Sequence, residues 1–470
     1  MEHPMGTYLV SVTEMFEKLS YYLFTGTLVL YMHEVLHFSV QFSALLYGII
    51  VGFCYFSQMI SGYLTDVYLG NRKAVIIGGI LMLISQLVFT YDASLYYLTE
   101  AVPTHSTLLF SYPEIIFIIG AIIFSIGASF IKISITSFVG LFYENKEGLL
   151  DSAYTIFYMI SNFGPFIAPL ILGIVVGIGY PHLYQYGFFI GALTIFVGLV
   201  AFQMLKNKYL VLENGEKVGT TPISKMIVDK TGENIARSRG GNLTKIEKDR
   251  IKVIFLILII FTVFYTGFEQ ILTSILIITI HYVNTTIPFI GITLAPQVFI
   301  SLNAICVLLL SPIFLKLMPM LADRNREPSS IGKLGIGTLL IALAYTFLLI
   351  PSYIPGKINL VWIVFFHIFL AMAELLIVPI GLSLISKLAP VRYRSVMMGI
   401  LFVATAIAEI FSGILASSVP TPGHCTKLFG LIPINSLSAF IWIFIILSGA
   451  IGLIWFLSKK RIQKLTHGIE

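Results

Sequence analysis

Seven ionisable side chains of this 470-residue chain lie inside apolar stretches that are long enough to cross a bilayer. A charge at the middle of a bilayer costs about 2.5–3.5 kcal/mol on insertion scales, so such residues are candidates for function. Five of the seven are acids, and unpaired buried acids are expected to take up protons because burial disfavours the charged form. Acids that alternate between paired and protonated states can couple proton flow to conformational change. The seven residues are Glu14, Glu17, Lys18, Lys132, Glu269, Glu374 and Glu409.

The first apolar stretch carries a polar face. This face consists of Glu14, Glu17, Lys18, Tyr21, Tyr22 and Thr25. At about 100° per residue, a helix places all six within roughly 140° of arc. In a membrane such a face must contact protein or water rather than lipid. Glu14 and Lys18 are also i,i+4 neighbours, so local pairing alone can satisfy both.

Composition predicts that these residues belong to a polytopic helical membrane protein. The chain is 57% hydrophobic and 11% charged, with a mean hydropathy of +0.93. Soluble domains are about a quarter charged. Apolar blocks of roughly 20 residues match a hydrocarbon core about 30 Å thick, and they lack the alternation of barrel strands. Twelve spans are predicted near 8–31, 43–65, 74–91, 115–142, 152–175, 184–205, 251–280, 289–315, 334–352, 359–386, 395–417 and 433–458.

The distribution of basic residues predicts the orientation. With these spans, 25 of the 29 Lys and Arg residues fall on one side, and the rule that positive loops stay inside makes that side cytoplasmic. Both termini are then cytoplasmic, and a cell membrane is the expected location. The net charge of +6 follows from this topology, so nucleic acid is not an expected partner. The N-terminus shows no secretory signal.

A long polar segment, residues 206–250, divides the spans six and six. The prediction is an N-terminal bundle over 1–205, a cytoplasmic linker over 206–250 that is flexible or partly helical, and a C-terminal bundle over 251–470. Leu64-x-Asp66 after the second span is echoed by Leu321-x-Asp323 after the eighth. Two repeats of six helices, with the substrate site between them, are a common transporter plan. The expected fold class is therefore all-α, with twelve transmembrane helices in two six-helix bundles.

Two families resemble this chain. The segment Gly62-x-x-x-Asp66-x-x-x-Gly70-x-Arg72-Lys73 resembles a loop of the major facilitator superfamily. Glu14-x-x-Glu17-Lys18-Leu19-x-Tyr21-Tyr22 resembles the ExxERFxYY motif of the proton-dependent oligopeptide transporters within that superfamily. Further matches to this second family follow in order: Phe157-Tyr158-x-x-x-Asn162-x-Gly164, Phe268-Glu269-Gln270, Ser301-Leu302-Asn303, Ala373-Glu374-Leu375-Leu376-x-x-Pro379-x-Gly381-Leu382-Ser383 and Met397-Met398-Gly399.

The resemblance implies a proton-coupled symporter of di- and tripeptides that works by alternating access. Its proton-coupling residues would be Glu14, Glu17, Lys18, Lys132 and Glu269. Its substrate-binding residues would be Tyr21, Tyr22, Tyr55, Lys132, Asn162, Asn303 and Glu374. In such a site Lys132 attracts the peptide carboxylate, and Asn162, Asn303 and Glu374 hold the amino terminus. Small peptides, protons and membrane lipid are the expected partners of a monomer, with the proton gradient as energy source and neither a cofactor nor a metal.

Departures from the family pattern leave alternatives open. Lys18 replaces the motif arginine and loses its planar fork. Thr25 stands where many members have a second arginine, so another small solute, amino-acid-like or anionic, is an alternative substrate. The segment His33-Glu34-x-x-His37 matches a zinc-protease motif, and a receptor that does not transport is a further alternative.

Overall fold

The computed structural model describes residues 3–99, 112–143, 150–176, 183–212, 215–222, 243–287, 291–390 and 394–468. Contacts divide the chain into two units. The first contains Met1–Ser43 and Phe53–Ile235, and the second contains Ala44–Gly52 and Ala236–Glu470. Eleven helical segments in the described ranges are long and apolar enough to cross a membrane. The first helix is 30 residues long and differs from them by its charged face. The predicted all-α membrane architecture is confirmed.

The described residues form fourteen α-helices and one short hairpin, and seven of these helices start in the first unit. They are α1 Met5–Glu34, α2 Val40–Leu64, α3 Asn71–Thr99, α4 Tyr112–Phe142, α5 Leu150–Ser161, α6 Phe163–Val175 and α7 Tyr184–Tyr209. A π-helical turn, Thr65–Leu69, extends α2.

Seven helices and one short hairpin follow. They are α8 Lys245–Phe268, α9 Ser274–Tyr282, α10 Ser301–Asp323, α11 Ser330–Ser352, α12 Leu360–Leu388, α13 Arg394–Ala416, β1 Thr426–Leu428, β2 Ile432–Ile434 and α14 Leu437–Leu465. The two strands pair antiparallel, with Lys427 opposite Pro433. Two 3-10 turns, Glu269–Leu272 and Pro296–Ile300, precede α9 and α10.

Short polar side chains define where several helices begin. The side chains of Ser39, Ser329, Asn359 and Ser436 each accept a hydrogen bond from a backbone N–H in the first turn of α2, α11, α12 and α14. Thr244 opens α8 with a capping box, in which Glu247 reaches back to the Thr244 N–H. These bonds satisfy donors that the helix itself leaves without partners.

Four predicted spans differ from the observed elements by a break or by a later start. The fifth is broken at Asn162, and the seventh is broken after Phe268 by a 3-10 turn. The eighth starts at Pro296 rather than 289, because the chain before it is extended and Thr286 bridges to Thr293. The twelfth, predicted from 433, starts at 437 because residues 432–434 form β2.

The start of the linker packs against the first unit. After α7 the chain forms a narrow hairpin, in which Val211 bridges to Lys217. The buried Arg72 guanidinium holds this hairpin through its Nε bond to the Val218 carbonyl at 2.7 Å and its Nη2 bond to the Leu210 carbonyl at 2.5 Å. Residues 223–242 of the predicted linker lie outside the described residues.

Aromatic rings fill the core of the first unit. Phe24 of α1 lies 4.0 Å from the Phe124 ring of α4 and 4.9 Å from the Phe89 ring of α3, measured between centroids. Phe188 of α7 stacks on Phe89 at 5.2 Å. Four helices therefore meet around one set of rings, whose tilted and offset contacts are the favourable ones for aromatic pairs.

Glycine allows α3 and α4 to approach closely. A Cβ on Gly127 would lie 2.8 Å from the Gly78 carbonyl oxygen and 2.8 Å from the Met82 nitrogen, both backbone atoms. A Cβ on Gly78 would lie 2.6 Å from the Gly127 carbonyl oxygen. Because these close atoms belong to the backbone, no side-chain movement can make room for a Cβ. A methyl group at either glycine must therefore push the two helices apart.

We therefore expect Gly127→Ala to destabilise the protein by about 1–3 kcal/mol, the usual cost of overpacking. Gly140→Ala on the same helix is the matched control, because its Cβ would meet only the Tyr154 hydroxyl, at 3.7 Å. Thermal unfolding of both variants in the same detergent measures the difference. Equal midpoints for the two variants would contradict the packing argument.

Candidate functional site

A buried ion pair joins α1 to α4 in the first unit. The Lys132 Nζ lies 3.7 Å from Glu17 Oε1, and the Glu17 side chain is fully buried. The same ammonium lies 4.0 Å from the centroid of the Tyr21 ring. A cation over an aromatic face is attracted to it, and the attraction grows when water is excluded. The structure thus brings together three residues that the sequence predicts to be site residues: Glu17, Tyr21 and Lys132.

Acids outnumber close hydrogen-bond donors in this cluster. Glu14 is 5% exposed, and its Oε2 has no hydrogen-bond partner among the described residues. Both carboxylate oxygens of Glu17 also lack one, since the contact with Lys132 is longer than a hydrogen bond. A buried carboxylate with incomplete partners is costly when ionised. The cluster therefore holds two buried carboxyl groups whose hydrogen-bonding capacity is not filled among the described residues.

The ammonium of Lys18 reaches α5. Its Nζ donates to the Ser161 hydroxyl at 3.1 Å and lies 5.4 Å from the centroid of the Tyr158 ring. Thr25, one of the noted departures, is buried, and its hydroxyl donates to the Tyr21 carbonyl of its own helix at 3.0 Å. The hydroxyl of Thr25 is thus satisfied locally.

The break in the fifth span places Asn162 beside this cluster. Its Nδ2 donates to the Tyr158 carbonyl at 2.7 Å, which uses one of its amide hydrogens for local structure. Tyr22 contacts the Tyr21 ring edge-on at 5.7 Å, and Tyr55 on α2 is half-buried. The roles of these side chains in binding substrate stay predictions.

The second unit contains an amide–carboxylate pair. Asn303 Nδ2 of α10 donates to Glu374 Oε2 of α12 at 2.9 Å, and both side chains are buried. The Oδ1 of Asn303 has no hydrogen-bond partner among the described residues. The pair therefore offers a carboxylate and a free amide oxygen, which are both acceptors. Acceptors of this kind suit an ammonium group.

Glu269 begins the 3-10 turn that ends α8 and is 7% exposed. The Tyr265 side chain, one turn earlier, interacts electrostatically with Glu269, Glu374 and Glu409. Glu409 on α13 is fully buried. Three acids from three helices therefore surround one tyrosine, and this cluster contains two of the predicted site residues.

Comparisons with known proteins agree with this geometry. The sequence model described as Major Facilitator Superfamily matches residues 10–413. The chain belongs to the Major Facilitator Superfamily. It is 25% identical to a peptide transporter of Yersinia enterocolitica, with 89% of this chain and 88% of the relative covered. It is 25% identical to a di-/tripeptide transporter of Lactococcus lactis, with 99% and 97% covered.

Solved structures extend this similarity within the Major Facilitator Superfamily. A peptide transporter POT in complex with sulfate superposes with a TM-score of 0.79 at 23% identity, covering 98% of this chain and 96% of that one. A POT family transporter in complex with a thioalcohol-conjugated peptide superposes with a TM-score of 0.80 at 21% identity, covering 98% and 97%. The resemblance to the oligopeptide transporters noted in the sequence is confirmed.

Two buried polar residues of this superfamily member escaped sequence reasoning. Asp92 is fully buried and accepts a hydrogen bond from the Tyr31 hydroxyl at 2.8 Å. It was missed because the predicted third span ended at 91, whereas α3 continues to Thr99. His367 is fully buried two turns before Glu374, and neither ring nitrogen has a hydrogen-bond partner among the described residues. A count of all titratable residues in the spans, including histidine, would have found it.

The zinc-protease motif does not form its usual geometry. The motif needs both histidines on one helix, but α1 ends at Glu34 and His37 has a left-handed backbone with φ of 55°. His33 Nδ1 lies 2.8 Å from the Phe38 carbonyl, and Glu34 accepts from the Tyr184 hydroxyl. In the described part of the chain, no three His, Cys, Asp or Glu residues are grouped as metal ligands.

We expect Lys132→Gln to lower the free energy of unfolding by about 3–5 kcal/mol, because it leaves Glu17 buried without its cation. The double variant Glu17→Gln/Lys132→Gln should recover most of this loss, since it removes both charges. Lys248→Gln, at an exposed position on α8, is the control. Thermal unfolding of the four proteins tests the pairing, and additive losses in the double variant would contradict it.

Proposed function

We propose that this chain is a proton-coupled symporter that imports di- and tripeptides by alternating access. The observation that carries the proposal is the buried Glu17–Lys132 pair, with a second buried carboxylate, Glu14, three residues away on α1. If these residues only stabilised the fold, apolar side chains of similar volume would stabilise it equally well. The names of the relatives support a peptide as substrate.

The two units, each taken by itself, offer different groups to a zwitterionic peptide. Lys132 in the first unit provides a cation for the peptide carboxylate. Asn303 and Glu374 in the second provide acceptors for the amino terminus. Tyr21 and Tyr22 have apolar faces and polar tips, which suit varied peptide side chains. Recognition of this kind depends on the two charged termini of the peptide and accepts different side chains between them.

Coupling follows from competition for Lys132. When Glu17 is ionised, it pairs with the ammonium and opposes its release to a substrate. When Glu17 takes up a proton, the ammonium becomes available to the peptide carboxylate. Substrate and proton therefore favour each other on this unit, which is the linkage that a symporter needs. Glu269 in the second unit is proposed as a further proton-carrying acid.

The energy of one proton is sufficient for useful accumulation. One charge moving down 100 mV supplies about 2.3 kcal/mol. Since about 1.4 kcal/mol corresponds to a factor of ten, this allows roughly 50-fold accumulation of a neutral zwitterion. We propose that the protein acts as a monomer in the cell membrane, with both termini in the cytoplasm.

Purified protein in proteoliposomes should accumulate a labelled dipeptide when the outside is acidic, and a protonophore should abolish the accumulation. Lys132→Ala should lose gradient-driven uptake because both Glu17 and the peptide lose their cation. Lys248→Ala, which changes an exposed lysine, should behave like the wild type. Wild-type uptake by Lys132→Ala would overturn the role of this residue. If the folded wild type takes up no peptide, another small solute becomes the substrate to test.

Glu374→Gln should weaken transport of peptides with a free amino terminus by about tenfold or more and affect N-acetylated peptides much less. The reason is that the variant loses the charge that faces the ammonium but keeps the shape of the side chain. Competition of both peptide types against the labelled dipeptide measures the difference. Equal losses for the two types would show that Glu374 does not read the amino terminus.

A further inference from the structure

Ser161 lies where the fifth span breaks. Asn162 separates α5 from α6, and Pro165 has no N–H to donate to the Ser161 carbonyl one turn before it. The Tyr158 carbonyl accepts from the Asn162 N–H at 3.1 Å, from Asn162 Nδ2 at 2.7 Å and from the Ser161 hydroxyl at 3.1 Å. Three donors on one carbonyl fix the end of α5.

The Ser161 hydroxyl is oriented to receive a cation. Its hydrogen is directed to the Tyr158 carbonyl, so its lone pairs face the Lys18 ammonium 3.1 Å away. The Tyr158 ring lies 5.4 Å from the same ammonium. The Ser161 side chain is fully buried, whereas Lys18 is half-buried. The Ser161 hydroxyl and the Tyr158 ring face therefore form an uncharged binding position for the Lys18 ammonium, here called the seat.

The start of α6 packs directly on the turn of α1 that carries Lys18. A Cβ on Gly164 would lie 2.6 Å from the Met15 carbonyl oxygen, 2.7 Å from the Leu19 nitrogen and 3.0 Å from the Lys18 Cβ. The turn of α1 that carries Lys18 and the start of α6 are therefore in direct contact, with no room for a side chain at Gly164.

Within about one turn of Lys18, α1 carries the titratable residues Glu14, Glu17, Tyr21 and Tyr22. Of the helices that pack against α1, α4 carries Lys132 and α5 carries Tyr154 and Tyr158. The helix α6 has no titratable side chain. In α7, Gly198 packs on Phe16 of α1, and the titratable residues lie near the two ends of the helix, well away from this level.

We propose that Ser161 is a positioning residue for Lys18. In this inference, which rests on the proposed proton coupling, the ammonium exchanges between the seat and the carboxylates of α1. Ionised Glu14 and Glu17 attract the ammonium away from the seat. When Glu14 and Glu17 are protonated, the Lys18 ammonium moves to Ser161 and Tyr158. This contact holds the end of α5 against α1. The exchange transmits the protonation state of the cluster to the break in the fifth span.

Removing the Ser161 hydroxyl should shift the pH profile of uptake in one direction only. In Ser161→Ala the ammonium stays with the carboxylates and favours their ionised form, so a higher proton concentration is needed to protonate them. We expect the midpoint of the pH profile of uptake to shift by about 0.5–1 pH unit toward acid, the equivalent of one lost hydrogen bond. Ser448→Ala is the matched control, because this buried serine in the second unit bonds only within its own helix.

A double-mutant cycle separates positioning from a structural role. In the Lys18→Met background, Ser161→Ala should cause no further shift, since there is no ammonium to hold. An equal shift in both backgrounds, or no shift in either, would overturn the proposal. If Ser161→Ala does not fold, Ser161→Cys gives the same comparison, because sulfur is a weak acceptor.

A second readout keeps this inference distinct from the proposed function. The pH dependence of thermal unfolding should shift in the same direction in Ser161→Ala, and it requires no substrate. A wild type without peptide uptake or peptide exchange would overturn the proposed function alone. A wild type with gradient-driven uptake and an unchanged Ser161→Ala profile would overturn only the role of Ser161.

Discussion

The polar cluster of the first unit depends on one interaction, the pairing of the buried Glu17 with Lys132 across α1 and α4. Two charges in apolar surroundings lose their hydration, and their attraction offsets that loss only when the partners remain together. Tyr21 adds its ring face to the lysine, 4.0 Å away, and so supports the cation without neutralising it. At 3.7 Å the two charges attract each other without a hydrogen bond between them.

The second unit holds a buried carboxylate through a neutral donor. Asn303 donates to Glu374 at 2.9 Å, and Tyr265 interacts electrostatically with Glu269, Glu374 and Glu409. A neutral donor stabilises a carboxylate less than a charged donor does. The two units thus differ in the group that faces a buried acid: an ammonium lies beside Glu17 in the first, and an amide donates to Glu374 in the second.

Most of the fold could be predicted from the sequence, because apolar length and the cost of buried charge are local properties. The membrane-spanning helices, and the placement of Glu17 and Lys132 inside them, follow from these two properties. The break at Asn162 was not predicted, although Pro165, which has no N–H to donate to the Ser161 carbonyl, is a local signal for it. Asp92 was missed because its helix continues past the apolar block, and tertiary contacts bury this residue. Side-chain direction, such as that of Lys18 toward α5, also needs the packed structure.

The lysine at position 18 is not a conservative replacement for the arginine of the resembled motif. A guanidinium has five donors in a rigid fork and needs several acceptors in one plane. An ammonium is compact and can be satisfied in separate steps by a hydroxyl, a ring face or a carboxylate. Ser161 supplies the hydroxyl and Tyr158 the ring. A residue that can be satisfied in more than one place can move between them, so the change from arginine to lysine converts a fixed charge into a mobile one.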